Sequence, residues 1–152
     1  MNPNKYNLPP CQLKTRFLNE KHEVFDKLRN KFVALTPEEE VRQVFIEYLI
    51  NDKKYPSGLL AAEYSLKVNG MKKRADIVAF NKFGHPLLIV ECKAPSVKIN
   101  QKVFDQIARY NLSLRVDFLI VTNGLEHFCC QLNFKKNQYS FLEHIPDYLS
   151  II

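Results

Sequence analysis

The sequence has no apolar run long enough to cross a bilayer. Its longest such stretches, residues 86–90 and 118–121, fall far short of the roughly 20 residues a spanning helix needs. The opening Met-Asn-Pro-Asn-Lys-Tyr has no apolar signal core, so a cytoplasmic protein without membrane partners is expected. Cysteine is scarce, and Cys11, Cys92, Cys129 and Cys130 form no Cys-x-x-Cys knuckle. Neighbours on a strand point to opposite faces, so Cys129 and Cys130 cannot share one ion, and reduced, mostly buried thiols are expected. The four histidines, His22, His85, His127 and His144, show no ligand spacing. Walker-A, His-Glu-x-x-His and Gly-x-Ser-x-Gly strings are missing, which argues against motor ATPase, zincin and serine-hydrolase chemistry and against a nucleotide cofactor. There is no internal repeat and no low-complexity segment.

What is present suits one ordinary globular domain. With 152 residues, 46% hydrophobic and 25% charged, the chain can bury a core without staples. The net charge of +6 is compatible with a nucleic-acid partner. Its basic clusters, Lys53-Lys54, Lys72-Lys73-Arg74 and Lys135-Lys136, are short and dispersed, and each alone reads as a solvated turn.

Residues 1–23 read as an N-terminal arm or hairpin, polar and Pro-rich over 1–10 and then weakly alternating around Asn19-Glu20-Lys21. Residues 24–152 read as a single domain. Thr36-Pro37-Glu38-Glu39 has the order of N-cap, Pro at the first helical position and capping-box glutamate. Val41, Val44, Phe45, Tyr48 and Leu49 follow at helical spacing. Strands are expected over 63–68 and 73–80, joined by the hairpin dipeptide Asn69-Gly70. Another, over 86–93, is apolar on both faces until its end, as in a strand covered on both sides. A helix over about 100–114, strands over 118–121 and 127–132, and a short strand or tail complete the order. That order implies an α/β fold with one mixed sheet, the crossover into residue 118 being parallel and right-handed.

Strand parity puts Glu91 and Lys93 on one face and Cys92 on the other. If Asn69-Gly70 is a two-residue loop, Val68 pairs with Met71 and Glu63 falls opposite Asp76. Facing carboxylates cost roughly 0.2–1 kcal/mol unless a cation neutralises them. Lys93 and a divalent ion together suit that role. Asp76, Glu91 and the Cys92 backbone carbonyl form a hard oxygen set appropriate to Mg²⁺, with Mn²⁺ as a substitute. Such an ion polarises a phosphoryl oxygen and acidifies water, and Lys93 orients that water or offsets developing charge. Phosphodiester hydrolysis is therefore the chemistry these groups fit. The plainer explanation is that Glu91 and Lys93 cap a core strand while Arg74 pairs with Asp76 and Glu63. On the residues alone the metal site is only slightly favoured.

The blocks Arg74-Ala-Asp-Ile-Val78, Leu88-Ile-Val-Glu-Cys-Lys-Ala-Pro95, Gln106-Ile-Ala-Arg-Tyr-Asn111 and Val121-Thr-Asn-Gly124 occur in that order. Together they resemble the N-terminal nuclease domain of type I restriction enzyme R subunits, in the PD-(D/E)xK superfamily. Thr36-Pro-Glu-Glu and Val41-Arg-Gln43 are similar to the helix that opens that domain, and the likeness covers roughly residues 24–130. The resemblance implies a restriction-endonuclease-like fold, a central mixed β-sheet flanked by helices, here with a possible extra N-terminal hairpin. It also implies Mg²⁺-dependent DNA cleavage by Asp76, Glu91 and Lys93. The family's Gln-x-x-x-Tyr motif falls on Gln106 and Tyr110, stacked on one helix face, with Gln106 reaching water or a phosphate and Tyr110 equally explained as a half-buried core aromatic. Glu39 resembles an acidic helix residue near the metal of related nucleases, although its capping role accounts for it. Glu63 is an even choice between the site and the scaffold. Lys72, Lys73 and Arg74 are the candidate DNA contacts.

An R subunit continues into a translocase and this sequence does not, so cleavage by the domain alone or with a restriction-system subunit or homodimer partner is expected. The leading expectation is a Mg²⁺-dependent endodeoxyribonuclease. The alternatives are a non-catalytic DNA-binding or assembly module that keeps the nuclease fold, and a structural or dimerising domain.

Overall fold

The computed structural model describes residues 5–68 and 70–152. The chain begins with three short antiparallel strands, β1 (Thr15–Leu18), β2 (Lys21–Asp26) and β3 (Lys31–Ala34), which form a sheet of their own. The β1–β2 hairpin turns through Asn19 and Glu20, both at positive φ, a conformation that matches the twist of two-residue hairpins. The hairpin was expected; β3 was not. The boundary expected between residues 23 and 24 falls inside β2, whose Val24 is fully buried.

Helix α1 (Pro37–Asn51) starts as its sequence predicts, with the Thr36 hydroxyl accepting the Glu39 amide at 3.1 Å and Pro37 in the first turn. A 3₁₀ turn, Ser57–Leu59, leads into β4 (Leu60–Val68), β5 (Met71–Phe80) and β6 (Pro86–Cys92). Helix α2 (Gln101–Leu112), capped by Asn100, crosses to β7 (Phe118–Thr122). β8 (His127–Asn133), β9 (Gln138–Leu142) and the short α3 (Tyr148–Ile151) finish the chain. The second sheet has the order β4-β5-β6-β7-β8-β9, antiparallel except for the parallel β6–β7 pair, so the expected mixed sheet with flanking helices is present. Of the expected Asn69-Gly70 turn, Asn69 lies outside the described residues, but Val68 pairs with Met71 as that turn requires.

Core strands alternate between two apolar layers. Leu88, Val90 and Cys92 of β6 join Val41, Phe45 and Leu49 of α1, while Ile89 joins Phe104 and Ala108 of α2. Cys129 and Cys130 divide between those layers, as their adjacency on a strand demands. All four cysteines are free thiols.

The N-terminal segment is not a loose arm over its described part. Tyr6 is buried, its hydroxyl donates to Glu40, and the Asn7 amide donates to the Gly124 carbonyl at 2.9 Å. His127 fastens the same segment from the sheet side: its Nε2 lies 2.8 Å from the Asn7 carbonyl, an acceptor, so Nε2 carries the proton. The Thr122 hydroxyl faces Nδ1 at 2.7 Å. Burial holds the His127 pKa below its ordinary value and so favours the neutral ring.

Candidate functional site

Three carboxylates line up across β4, β5 and β6 because of register. On β4–β5, Ala62 pairs with Ile77 and Tyr64 with Ala75, which sets Glu63 opposite Asp76. On β5–β6 the last pair is Ile77 with Val90, and the next step along each strand brings Asp76 beside Glu91. Neither acidic step is itself a ladder pair. The backbone departs from regular strand here: Glu63 has φ 52°, a left-handed conformation that costs a non-glycine residue on the order of 1–3 kcal/mol. Where the β5–β6 ladder stops, Asp76 Oδ2 takes the place of a backbone acceptor and receives the Cys92 amide at 2.7 Å. The Cys92 main-chain group in contact with the cluster is thus its N–H.

Asp76 faces α1 and Glu91 faces α2. On the α1 side, one Arg42 nitrogen, Nη2, lies 3.0 Å from Asp76 Oδ1 and 2.6 Å from Glu63 Oε1, while Nη1 lies 3.3 Å from Glu39 Oε1. The expected pairing of Arg74 holds only for Glu63, at 3.1 Å from Nε; Asp76 takes Arg42 instead. Glu39 also accepts from Arg29 at 2.9 Å and from Gln43 at 3.1 Å, and Arg29 Nε reaches the fully buried Asp26 at 2.5 Å. A continuous chain of charge therefore runs from the N-terminal sheet to the carboxylate row: Asp26, Arg29, Glu39, Arg42, Asp76. Of the capping box only the Thr36 half forms; the Glu39 carboxylate is spent on Arg29, Arg42 and Gln43. The helix glutamate whose charge acts on Asp76 and Lys93 is its neighbour Glu38.

On the α2 side, Glu91 is 9% exposed and ion-paired with Lys73. The Lys73 ammonium sits directly on Glu91 Oε1. The Lys73 ammonium also lies 4.8 Å from the centre of the Tyr110 ring. Gln106 is exposed, one turn before Tyr110 on α2. Lys93 follows β6, half-buried, with its amide donating to Thr122 O at 2.8 Å. Its positive charge contributes to lowering the carboxyl pKa values of Asp76, Glu91 and Glu38, after larger influences at each. The basic cluster expected at a turn lies on β5 instead, where strand alternation leaves Lys72 and Arg74 exposed on one face and turns the Lys73 amine inward on the other.

Burial pushes the carboxyls of Asp76, Glu91 and Glu38 above their usual range. Lowering comes from the Cys92 amide and Arg42 at Asp76, and from Lys73 at Glu91, but desolvation outweighs it. The raised values therefore report burial, not a lack of cations, since Arg42, Arg74 and Lys73 are paired with the three strand carboxylates. Sequence reasoning missed three contributors. Arg42 carried a signal, a charged residue between Val41 and Gln43 on a helix with apolar neighbours, one turn beyond Glu38 and Glu39. Glu38 was overlooked in favour of Glu39, and Lys73, grouped with a solvated turn in the sequence, follows strand alternation inward.

The model of the family described as the type I restriction enzyme R protein N terminus matches residues 37–146, which contain α1, the three acidic strands, Lys93 and α2. Among solved structures, a fragment of an HsdR subunit of a type I restriction enzyme from Vibrio vulnificus YJ016 matches with a TM-score of 0.53 and 19% identity. The match covers 77% of this chain and 24% of that one, so the chain spans about a quarter of the length of that relative and shares its fold. No curated protein matches significantly. With most of its length inside the family match, the chain belongs to the family of type I restriction enzyme R protein N termini.

Proposed function

We propose that this domain cleaves DNA phosphodiester bonds in a Mg²⁺-dependent reaction, with Asp76 and Glu91 holding the ion and Lys93 at the reacting phosphate. The observation that carries this reading is the register that sets Glu63, Asp76 and Glu91 at adjacent positions of β4, β5 and β6, the first two toward α1 and Glu91 toward α2, with Lys93 following at the end of β6. Two carboxylates, a main-chain oxygen such as the Cys92 carbonyl, and several waters make a set that Mg²⁺ accepts. Among the described residues no group of three or more His, Cys, Asp and Glu is poised to hold a metal by side chains alone, so water and main chain would complete the shell. A divalent ion at Glu91 would compete there with the Lys73 ammonium. Asp76 has capacity to spare: its two oxygens offer about four acceptor sites, and Arg42 and Cys92 occupy two.

Bound there, Mg²⁺ supplies Lewis acidity toward a phosphoryl oxygen and lowers the pKa of water. The chain's own residues do the rest. Arg42 and the Cys92 amide fix the Asp76 carboxylate in orientation. Lys93 donates to a non-bridging phosphate oxygen and offsets the charge that builds on it. Glu38, at the mouth of the row, accepts a proton from water, its raised pKa bringing it nearer neutrality. Gln106 and the exposed Lys72 and Arg74 contact DNA phosphates.

The experiment is nicking of supercoiled plasmid with Mg²⁺. Activity is expected from the parent chain, loss to background from Asp76→Ala, and a fall of about 100-fold or more from Lys93→Ala. Undiminished cutting by Asp76→Ala removes the mechanism. A second reading, a DNA-binding or assembly module without catalysis, is favoured by one feature: Arg42 and Lys73 already neutralise Asp76 and Glu91. Calorimetry separates the two, since that module binds DNA with an affinity indifferent to Mg²⁺ and takes up no Mg²⁺.

A further inference from the structure

We propose that the outer face of the N-terminal three-stranded sheet binds the phosphate backbone of DNA through Lys14, Arg16 and Lys21, with Phe25 and Phe32 holding two of those cations in place. The inference rests on DNA as the partner and not on the metal. The family match starts at residue 37, so the whole sheet lies ahead of it, and none of its residues has a role in the reaction proposed above. Val24 and Asp26 of β2 are fully buried, which fixes the inner face. Strand alternation then sends Lys21, Glu23 and Phe25 outward. Register sets Arg16 opposite Glu23, Phe32 opposite Phe25 and Lys21 opposite Leu18. The Lys14 carbonyl accepts the Phe25 amide at 2.8 Å, which extends the pairing by one more row. Cations thus stand in three successive rows of the outer face, each row about 7 Å from the next.

Two of the three are drawn together over an aromatic pair. The Phe25 and Phe32 rings meet edge to face, with their centres 5.3 Å apart. The Lys14 ammonium lies 5.0 Å from the centre of Phe25 and 5.7 Å from that of Phe32, and the Arg16 guanidinium carbon lies 3.8 Å from the Phe32 centre. Each ring gives a cation a seat, but gathering like charges is unfavourable unless an anion answers them. One carboxylate on this face does so in part: Glu23 accepts from Arg16 Nε at 2.8 Å, which leaves both terminal guanidinium nitrogens on a side chain that is 42% exposed. The hairpin's other acid, Glu20, sits in the turn. Among the described residues no carboxylate pairs with Lys14 or Lys21, and both are exposed. A line of cations, two of them seated on rings, is complementary to the evenly spaced charge of a nucleic-acid strand. Contacts of this kind add affinity and fix how DNA lies on the protein without reading its sequence. From the inner face of the same sheet, Asp26 is tied through Arg29 to Glu39 of α1. DNA held on the outer face is therefore held in fixed relation to the helix that carries Arg42.

The test is a fluorescence-anisotropy titration of a short random-sequence DNA duplex with the full chain, in EDTA and over a series of salt concentrations. EDTA removes divalent ions, so the metal site has no part in the readout. The double variant Lys14→Gln/Arg16→Gln should bind roughly tenfold or more weakly near 0.1 M salt, and the slope of log affinity against log salt should become shallower by about 1.8, the share of two phosphate contacts. Lys14→Arg/Arg16→Lys keeps both charges and should restore the slope. Phe32→Leu should weaken binding several-fold with the slope unchanged, as expected of a positioning residue. Lys135→Gln/Lys136→Gln removes the same charge from the exposed turn between β8 and β9 and should cost less affinity than the first pair. Equal losses from the two charge-removing variants, or affinity and slope untouched by Lys14→Gln/Arg16→Gln, overturn the binding face and leave DNA standing as the partner. If the parent binds no duplex even at low salt, the DNA reading itself falls and the face with it.

Discussion

Arg42 is the residue on which most of the local electrostatics turns. It is 6% exposed at its side chain, touches Glu39, Glu63 and Asp76, and has a buried Nε without a hydrogen-bond partner. Removing one member of a buried ion network leaves uncompensated charge, at a cost of about 3–5 kcal/mol. Arg42→Met is therefore expected to lose stability of that order in urea denaturation at neutral pH. The loss should shrink in acid, where protonation of Asp76, whose carboxyl pKa burial raises, removes part of the charge left behind. The position of Glu38 and Glu39 makes a related point at this scale. Adjacent helix residues diverge by roughly 100°, so one carboxylate joins the arginines under the helix and the other reaches the acidic row. Sequence alone offers two glutamates and no means of telling which face meets β5.

At the scale of elements, the break in the β4–β5 ladder and the end of the β5–β6 ladder set the acidic row. The row is legible in the sequence, because Val68 pairing with Met71 sets Glu63 against Asp76 by counting, and strand parity puts Glu91 with Lys93. The start of α1 is equally plain, since capping chemistry is local. What is not legible depends on contacts distant in sequence: β3, four residues that pair only because β2 is already there, and the docking of Tyr6 against Gly124. Gly124 has φ 87°, and a Cβ there would lie 2.6 Å from the Tyr6 ring. Backbone strain and displacement of that ring together predict that Gly124→Ala loses on the order of 2 kcal/mol. The N-terminal segment should become cleavable by protease in the variant while the six-stranded sheet keeps its circular dichroism; resistance equal to the parent's contradicts this docking.

For the whole molecule, burying the carboxylates of Asp76 and Glu91 costs stability that an ion bound as proposed would return. Asp76 and Glu91 have carboxyl pKa values raised by burial, so their contribution favours the fold below their ordinary pKa and turns against it as pH rises through the folded values. A divalent ion needs the ionised forms and offsets that penalty. Mg²⁺ should therefore raise the Tm clearly above about pH 7 and little near about pH 4, where the carboxyls are protonated. An equal shift at both pH values would mean that the ion acts elsewhere. No helix among the described residues is long and apolar enough to cross a membrane, and the net charge of +6 suits a polyanionic partner.

The most direct measurement is anomalous diffraction from crystals soaked in Mn²⁺. A single peak is expected between the Asp76 and Glu91 carboxylates, with the Lys73 ammonium moved off Glu91. Crystals with no peak at that place, and with Arg42 and Lys73 still closed on the two carboxylates at high Mn²⁺ concentration, would contradict the account.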